Sequence, residues 1–310
     1  MTKIMITLFL SLLLSPAMAA GAALGKPETK LNPANLQLAS VSAMVVDADS
    51  GEVLYQKYAD IVKPIASLTK VMTAMVVLDS KQSLREVIRF SQADRKAINN
   101  YFSRIRVDSE LPRGEVLRVA LMSSENLAAA SLGRNYPGGM TAFVAKMNAK
   151  AKALGMKNSH FVDSSGLSHH NVSTAADMAK LIAAAAKYPV ISEYSTTATH
   201  TANFRRPSYL LAYVNTNQLV RYKRWDVGMS KTGYLNEAGR CLVMKAEVDG
   251  KSLLFVMLDS FGKTSPIGDA GRIKRWLASG KSGNVASSAQ LYQKQKVAEY
   301  LAERTTASIR

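Results

Sequence analysis

The chain has 310 residues, of which 47% are hydrophobic and 20% are charged. This composition is typical of a globular protein with a sizeable core, and it excludes a disordered, a collagen-like or a disulfide-scaffold chain. Forty Lys and Arg against 23 Asp and Glu give a formal net charge of +17. We therefore expect an anionic partner, which could be nucleic acid, a membrane surface or an acidic polymer.

The N-terminus has the features of a secretory signal. Lys3 precedes the apolar run from Ile4 to Leu14, and Ala17-Met18-Ala19 forms an A-x-A cleavage site. The run is too short to span a bilayer as a helix. The pattern predicts a signal peptide over residues 1–19 and a linker over 20–38. Export argues against nucleic acid as the partner.

The remaining elements are predicted from periodicity and turn residues. Two strands, 41–47 and 52–56, flank a turn of Asp, Ser and Gly residues. Helical spacing then predominates, in the windows 68–78, 115–132, 140–154 and 174–186. Strands return over 227–234, 239–248 and 252–259, with Asp249-Gly250 as a hairpin turn, before a helix over 269–278 and a polar tail over 281–310.

Strands at both ends of the chain with helices between them predict one sheet built from distant segments. The helical lobe is inserted between its two halves, which is an α/β (α+β) arrangement over residues 39–280. The single cysteine, Cys241, cannot form an internal disulfide. It lies in an apolar run and is predicted to be a buried core thiol.

The first motif with chemical meaning is Ser67-Leu68-Thr69-Lys70, at the start of the first predicted helix. Ser67 and Lys70 are three positions apart and share one helix face. A serine beside a proton acceptor at a helix N-terminus suits nucleophilic acyl transfer. The pattern alone is more typical of an N-cap, and Ser260-Phe261-Gly262-Lys263 matches the same template.

Two further motifs favour catalysis. Ser124-Glu125-Asn126 and then Lys231-Thr232-Gly233 follow Ser67 in the order of the S-x-x-K, S-x-N and K-T-G signature of penicillin-recognising serine enzymes. Ser260 does not fit this order, because it follows the K-T-G string. We predict Ser67 as nucleophile and Lys70 as its base, with the pKa of Lys70 lowered by burial or by the charge of Lys231. Ser124 is predicted to relay a proton to the leaving amine.

The other predicted site residues bind substrate. Asn126 can orient Lys70 and a substrate amide, and Lys231 with the hydroxyl of Thr232 can hold a peptide carboxylate. Gly233 lets the substrate backbone approach, and the N–H of Tyr234 joins that of Ser67 in an oxyanion hole. No cofactor is predicted, and no metal, because the histidines show no ligand spacing: His160, His169, His170 and His200.

The sequence resembles the low-molecular-mass penicillin-binding proteins, the D-alanyl-D-alanine peptidases of the bacterial periplasm. Besides the three motifs, the resemblance is carried by the strings 65–70, 147–161, 166–167 and 173–178. It implies a β-lactamase/transpeptidase-like fold, a five-stranded antiparallel sheet flanked by helices with the site between sheet and helical lobe. It also implies a periplasmic location, peptidoglycan stem peptides as substrates and β-lactam antibiotics as covalent inhibitors.

Two departures from the pattern of the carboxypeptidases indicate which branch of the family the chain resembles. Carboxypeptidases of this family usually have Ser-Gly-Asn and a histidine after K-T-G, whereas Glu125 and Tyr234 resemble the endopeptidase branch, which cleaves cross-links. The residues after Ala278 are also too few for the second β-rich domain and amphipathic anchor of those carboxypeptidases. We expect at most weak peripheral membrane contact from the tail.

Three alternatives stay open. The first is a D-Ala-D-Ala carboxypeptidase. A class A β-lactamase needs a carboxylate, normally in an E-x-x-L-N string, and the acidic residues between Leu127 and Ser230 lie in no such string: Asp163, Asp177, Glu193 and Asp226. A non-enzymatic murein-binding or sensing module is the third. The basic residues Arg221, Lys223 and Arg224 either form a solvated surface or attract an anionic wall.

Overall fold

The computed structural model describes residues 31–99 and 101–308. The predicted signal peptide and the first part of the predicted linker lie outside this range. The strands in chain order are β1 (Ser40–Asp47), β2 (Val53–Lys57), β3 (Lys63–Pro64), β4 (Val87–Arg89), β5 (Glu110–Pro112), β6 (Val172–Ser173), β7 (Thr199–Phe204), β8 (Tyr209–Val214), β9 (Asp226–Leu235), β10 (Gly239–Val248) and β11 (Lys251–Ser260). The helices are α1 (Thr69–Asp79), α2 (Gln92–Ala97), α3 (Arg113–Met122), α4 (Asn126–Arg134), α5 (Gly139–Ala153), α6 (Ala175–Ala185), α7 (Pro189–Ser195), α8 (Gln218–Arg221), α9 (Ser265–Ser279) and α10 (Ser287–Ser308).

The main sheet has five antiparallel strands in the order β2-β1-β11-β10-β9. The N-terminal hairpin therefore pairs with the last strand, which confirms that the sheet is built from distant segments around a helical lobe. Asp249 and Gly250 both have positive φ, as the tight turn between β10 and β11 requires. Strand β9 is an edge, so one side of its backbone faces the site.

Apolar side chains cover both faces of the sheet. One core fills the space between the sheet and the helical lobe, and a second core lies between the other face and α9, which contributes the buried residues Ala270, Ile273 and Trp276. Helix α1 is mostly apolar, and its residues from Thr69 to Val77 are buried on every side. A helix of this composition belongs in the centre of a lobe, where other helices surround it.

The structure differs from the sequence prediction in the helical lobe. The window 115–132, predicted as continuous, is two helices, α3 and α4, because the chain leaves helical geometry at Ser123–Glu125. Ser124 has a φ of 63°, and the Ser123 hydroxyl donates to the Val119 carbonyl at 2.7 Å. Serine hydroxyls compete for backbone hydrogen bonds in this way. The sequence pattern also predicts no element over 189–226, where α7, β7, β8 and α8 occur.

The residues after α9 form a second C-terminal helix, α10, which packs on the sheet. Ala289 is buried, and the Gln293 side chain donates to the carbonyls of Leu38 and Ser40. Leu36 and Leu38, at the end of the predicted linker, are also buried. Within the described part of the chain, none of the helices is both long enough and apolar enough to cross a membrane.

Candidate active site

The first predicted motif forms a compact pair at the start of α1. Ser67 lies in a 3₁₀ turn, Ala66–Leu68, and Lys70 lies in the first turn of α1. The Lys70 ammonium donates to the Ser67 hydroxyl oxygen at 2.9 Å. Ala66 has a φ of 47°, and its carbonyl accepts a hydrogen bond from Thr69 Oγ1 at 2.8 Å. The turn thus holds the serine directly against the amine.

Lys70 is fully enclosed, with 1% of its surface exposed. Its ammonium also donates to Asn126 Oδ1 at 2.7 Å and to the Ser165 carbonyl at 2.6 Å. Burial lowers the pKa of Lys70 to about 7, and the negative charges of Asp163 and Glu125 oppose that shift. Of the two causes that the sequence left open, burial therefore lowers the pKa of Lys70. A neutral amine is available to accept a proton near neutral pH.

The loop 163–168 contacts the Lys70 amine, and sequence reasoning assigned this loop no role. The Asp163 carboxylate accepts hydrogen bonds from the backbone N–H groups of Ser165, Gly166 and Ser168 at 2.6–2.9 Å. This arrangement aims the Ser165 carbonyl at Lys70. Gly166 has a φ of 80°, and a Cβ there would lie 2.0 Å from the Ala66 carbonyl oxygen, so only glycine fits. The Asp-Ser-Ser-Gly string was the available signal.

The second motif occupies the break between α3 and α4. Ser124, with its left-handed backbone, lines the cavity together with Ser67 and Asn126. Asn126 is the first residue of α4, and the Glu125 side chain caps that helix by accepting from the N–H of Leu127 at 3.3 Å. The break, rather than a helix face, brings Ser124 to the cleft.

The third motif lies on the edge strand β9. A Cβ on Gly233 would lie 3.1 Å from the Ile65 carbonyl oxygen and 3.2 Å from the Ser67 nitrogen, so the strand runs directly past the serine. The Lys231 side chain is buried, and its ammonium donates to the Thr232 carbonyl at 2.9 Å. Burial and the positive charge of Lys70 hold the pKa of Lys231 well below its ordinary value.

One cavity of about 340 Å³ joins the three motifs. Six predicted site residues line it: Ser67, Ser124, Asn126, Thr232, Gly233 and Tyr234. Lys70 and Lys231 lie behind this lining, buried at its wall. The structure adds Thr216, whose hydroxyl accepts from Thr232 at 2.7 Å, and Arg240, whose guanidinium lies 3.7 Å from the centre of the Tyr234 ring. Neither was predicted, because both come from outside the motifs.

The other sequence predictions on reactive side chains can be checked here. Cys241 is buried on β10, and burial raises the pKa of its thiol to about 12, which confirms a core role. Ser260, the alternative S-x-x-K serine, is buried at the end of β11 and bonds to Ser40 at 2.8 Å. It does not line the cavity that contains Ser67. The three motifs thus come together at one cavity, whereas Ser260 lines a neighbouring cavity.

A family model described as D-alanyl-D-alanine carboxypeptidase matches residues 28–262. The chain belongs to the D-alanyl-D-alanine carboxypeptidase family. The match covers all three motifs and the five-stranded sheet up to the end of β11. It confirms the resemblance drawn from the motifs and the longer strings around them.

Curated members of the carboxypeptidase family include relatives of nearly full length. A protein named D-alanyl-D-alanine endopeptidase from Pseudomonas aeruginosa is 48% identical over 94% of this chain and 93% of its own. Another of that name, from Escherichia coli, is 43% identical over 99% of each chain. A D-alanyl-D-alanine carboxypeptidase of Bacillus subtilis is 31% identical over 73% of this chain.

Solved structures of similar proteins show the same fold. A Streptomyces DD-transpeptidase matches with a TM-score of 0.73 and 28% identity, over 78% of this chain and 98% of its own. A penicillin-binding protein from Listeria monocytogenes, in the ampicillin-bound form, matches with a TM-score of 0.66 and 29% identity over 78% of this chain. The predicted transpeptidase-like fold is therefore confirmed.

Proposed function

We propose that this protein is a serine DD-endopeptidase that cleaves D-alanyl cross-links in peptidoglycan and is acylated and inhibited by β-lactams. The single observation that carries the proposal is the Lys70 amine, buried, with a pKa of about 7, at 2.9 Å from the Ser67 hydroxyl. A serine is a weak nucleophile until a neighbouring group takes its proton, and this amine can take it.

The proposed reaction has two steps. Lys70 takes the proton of Ser67 Oγ as that oxygen bonds to the D-alanyl carbonyl carbon, and the amide C–N bond then breaks. Ser124 passes a proton to the departing amine. The N–H groups of Ser67 and Tyr234 stabilise the oxyanion. In the second step, water adds to the acyl-enzyme, the ester bond breaks, and Ser67 regains its proton while the product leaves as a carboxylate.

Substrate binding follows from the same cleft. Lys231 and the Thr232 hydroxyl hold the carboxylate next to the leaving amine. Asn126 orients Lys70 and the substrate amide, and the bond from Lys70 to Asn126 at 2.7 Å supports this role. Gly233 allows an extended peptide to lie along β9, close to Ser67.

Cleavage of cross-links, rather than of terminal D-alanine, is supported by two observations. The relatives of nearly full length carry the endopeptidase name, whereas those named carboxypeptidase are 27–33% identical. Glu125 and Tyr234 also stand where carboxypeptidases usually have glycine and histidine. A carboxypeptidase is the second candidate, because the family model carries that description.

Slow loss of a bound β-lactam is expected, which separates the proposal from a β-lactamase. The Asp163 carboxylate is engaged by three backbone N–H groups, and neither Asp163 nor Glu125 is among the described residues that line the cavity. A predicted signal over residues 1–19 supports a periplasmic site of action.

A fluorescent penicillin and purified muropeptides test the proposal. We expect stable covalent labelling of the wild type, none of Ser67→Ala, and undiminished labelling of the control variant Ser208→Ala, which changes an exposed serine between β7 and β8. Rapid loss of label would indicate a β-lactamase, and no labelling a binding module. Mass analysis of digested cross-linked muropeptides should show monomers, whereas release of only terminal D-alanine would identify a carboxypeptidase.

A further inference from the structure

A second cavity, of about 310 Å³, adjoins the candidate active site beyond Tyr234. Tyr234, Arg240 and Lys263 line both cavities, so the two are contiguous along the outer end of β9. The far wall comes from the segment after β11, which includes Phe261, and from Tyr292 of α10. The rings of Phe261 and Tyr292 are 5.5 Å apart. The C-terminal helix therefore helps to build this second cavity.

The shared wall is positively charged. Arg240 stacks on Tyr234 at 3.7 Å, which orients its guanidinium, and Lys263 is exposed. Among the described residues, no ion pair involves either cation, and Glu237, in the turn between β9 and β10, lines neither cavity. Two cations at one wall without a local counter-ion favour an anionic ligand.

The nearby carboxylate of Asp259 does not neutralise this wall. It is 1% exposed and lies behind the cavity, where it accepts from Lys63 and from the hydroxyls of Tyr292 and Tyr300. Its charge is thus balanced by the Lys63 ammonium at 3.3 Å. Arg240 and Lys263 are therefore available to bind an anionic group that enters from solvent.

The direction of β9 decides which part of the substrate reaches this cavity. Lys231 and Thr232, on one side of Gly233, are proposed to hold the carboxylate next to the leaving amine. The peptide on the carbonyl side of the scissile bond then runs the other way, past Tyr234 towards Asn236. An extended peptide advances about 3.3 Å per residue, so two to three residues reach about 7–10 Å beyond Gly233, as far as the end of β9 and Asn236.

We infer that the second cavity is a subsite for the peptide on the carbonyl side of the scissile bond, and that Arg240 and Lys263 bind a carboxylate that this peptide carries two to three residues from the bond. This inference rests on the proposed function and adds to it a preference for acidic stem peptides. The aromatic wall of Phe261 and Tyr292 covers the aliphatic part of the same residue.

The test compares two synthetic peptides that end in D-Ala-D-Ala and differ at one side chain, two or three residues before the scissile bond, with a free carboxylate in one and an amide in the other. The wild type should have a kcat/KM at least about tenfold higher for the free carboxylate, because two charge-assisted bonds form. Arg240→Gln/Lys263→Gln should reduce this ratio to about one. Lys251→Gln/Lys281→Gln, which removes two exposed cations elsewhere, should keep it.

Binding to the Ser67→Ala variant separates this inference from the proposed reaction. Calorimetry on that background should give a dissociation constant about tenfold lower for the free carboxylate, and the preference should vanish when Arg240 and Lys263 are also replaced by Gln. A Ser67→Ala variant that binds both peptides equally, or a preference that persists after Arg240 and Lys263 are also replaced, overturns the subsite. Selective binding without cleavage by the wild type would overturn the proposed reaction and leave the subsite standing.

Discussion

The Lys63 ammonium lies 3.3 Å from the carboxylate of Asp259, and both side chains are almost completely buried. Lys63 begins the strand that leads into Ser67, and Asp259 lies near the end of β11. The same carboxylate accepts from Tyr292 at 2.6 Å and from Tyr300 at 2.9 Å. One buried acid therefore links the approach to the nucleophile with the C-terminal helix.

This relationship predicts an unequal cost for two small changes. Asp259→Asn leaves the Lys63 ammonium buried without a counter-ion, so we expect a loss of about 3–5 kcal/mol in the free energy of unfolding. Tyr292→Phe removes one hydrogen bond and should cost about 1–3 kcal/mol. Urea unfolding measures both. A cost for Asp259→Asn no larger than that for Tyr292→Phe would contradict the role assigned to the ion pair.

The pH dependence of acylation should follow Lys70. Because a neutral Lys70 amine is the proposed proton acceptor, the rate of penicillin acylation should rise with pH through about 7. The negative charge of Glu125 raises the pKa of Lys70, so Glu125→Gln should lower that pKa and move the limb to lower pH, by up to about one unit. Glu52→Gln, an exposed change in the first hairpin, serves as control. If the acylation rate of Glu125→Gln rises over the same pH range as that of the wild type, the Glu125 carboxylate does not act on Lys70.

Alanine and glycine both lack a hydroxyl, but we expect them to differ in their effect on stability when they replace Ser124. Its φ of 63° suits glycine and strains alanine. Both variants should lose most peptidase activity, because the proposed relay is gone. Ser124→Ala should be less stable than Ser124→Gly by about 1 kcal/mol, which thermal unfolding can resolve. Equal stability of the two variants would mean that the backbone relaxes out of the left-handed region.

Two glycines on β9 offer a matched pair. Gly233→Ala places a methyl group 3.1 Å from the Ile65 carbonyl oxygen and 3.2 Å from the Ser67 nitrogen, so the strand must move away from the nucleophile. A displacement approaching 1 Å should slow acylation about 100-fold while the fold is kept. The methyl group of Gly228→Ala meets its nearest atom at 3.9 Å and should change little. Similar acylation rates for both variants would contradict the assigned position of the strand.

The basic residues at the end of α8 and just after it predict a dependence of activity on salt. Gln218, the first residue of α8, lines the cavity, and Arg221, Lys223 and Arg224 follow within one to two turns. If they attract an anionic wall, reversing all three to Glu should lower kcat/KM on intact murein more at 0.1 M than at 1 M salt, because the Debye length falls from about 10 Å to about 3 Å.

The control for this charge reversal is the same change at three exposed lysines around α5: Lys146, Lys152 and Lys157. This control changes the net charge by the same amount, and none of its three residues lines the cavity. If both triple variants lose activity on murein to the same extent, or if cleavage of a small neutral ester falls as strongly as that of murein, then Arg221, Lys223 and Arg224 only form a solvated basic surface.

The sequence by itself determined the parts of this protein that depend on short strings. Ser67 and Lys70 meet because three residues span one helical turn, and a turn of Asp249 and Gly250 joins two apolar strands because its backbone needs positive φ. Order along the chain sufficed to reject Ser260, which follows the K-T-G motif. Apolar periodicity also predicted a sheet built from distant segments, because segments near both ends of the chain have the pattern of strands.

Tertiary structure decided what those strings could not. Apolar periodicity does not reveal the break of three residues between α3 and α4, because the apolar pattern continues across it. That break places Ser124 at the cleft. The pKa of Lys70 depends on burial and on the charges of Asp163 and Glu125, and the Ser165 carbonyl reaches its amine from 95 residues away in sequence. Arg240 meets Tyr234 only through the pairing of β9 and β10. These are contacts between distant segments, and the free energy of packing the whole chain selects them.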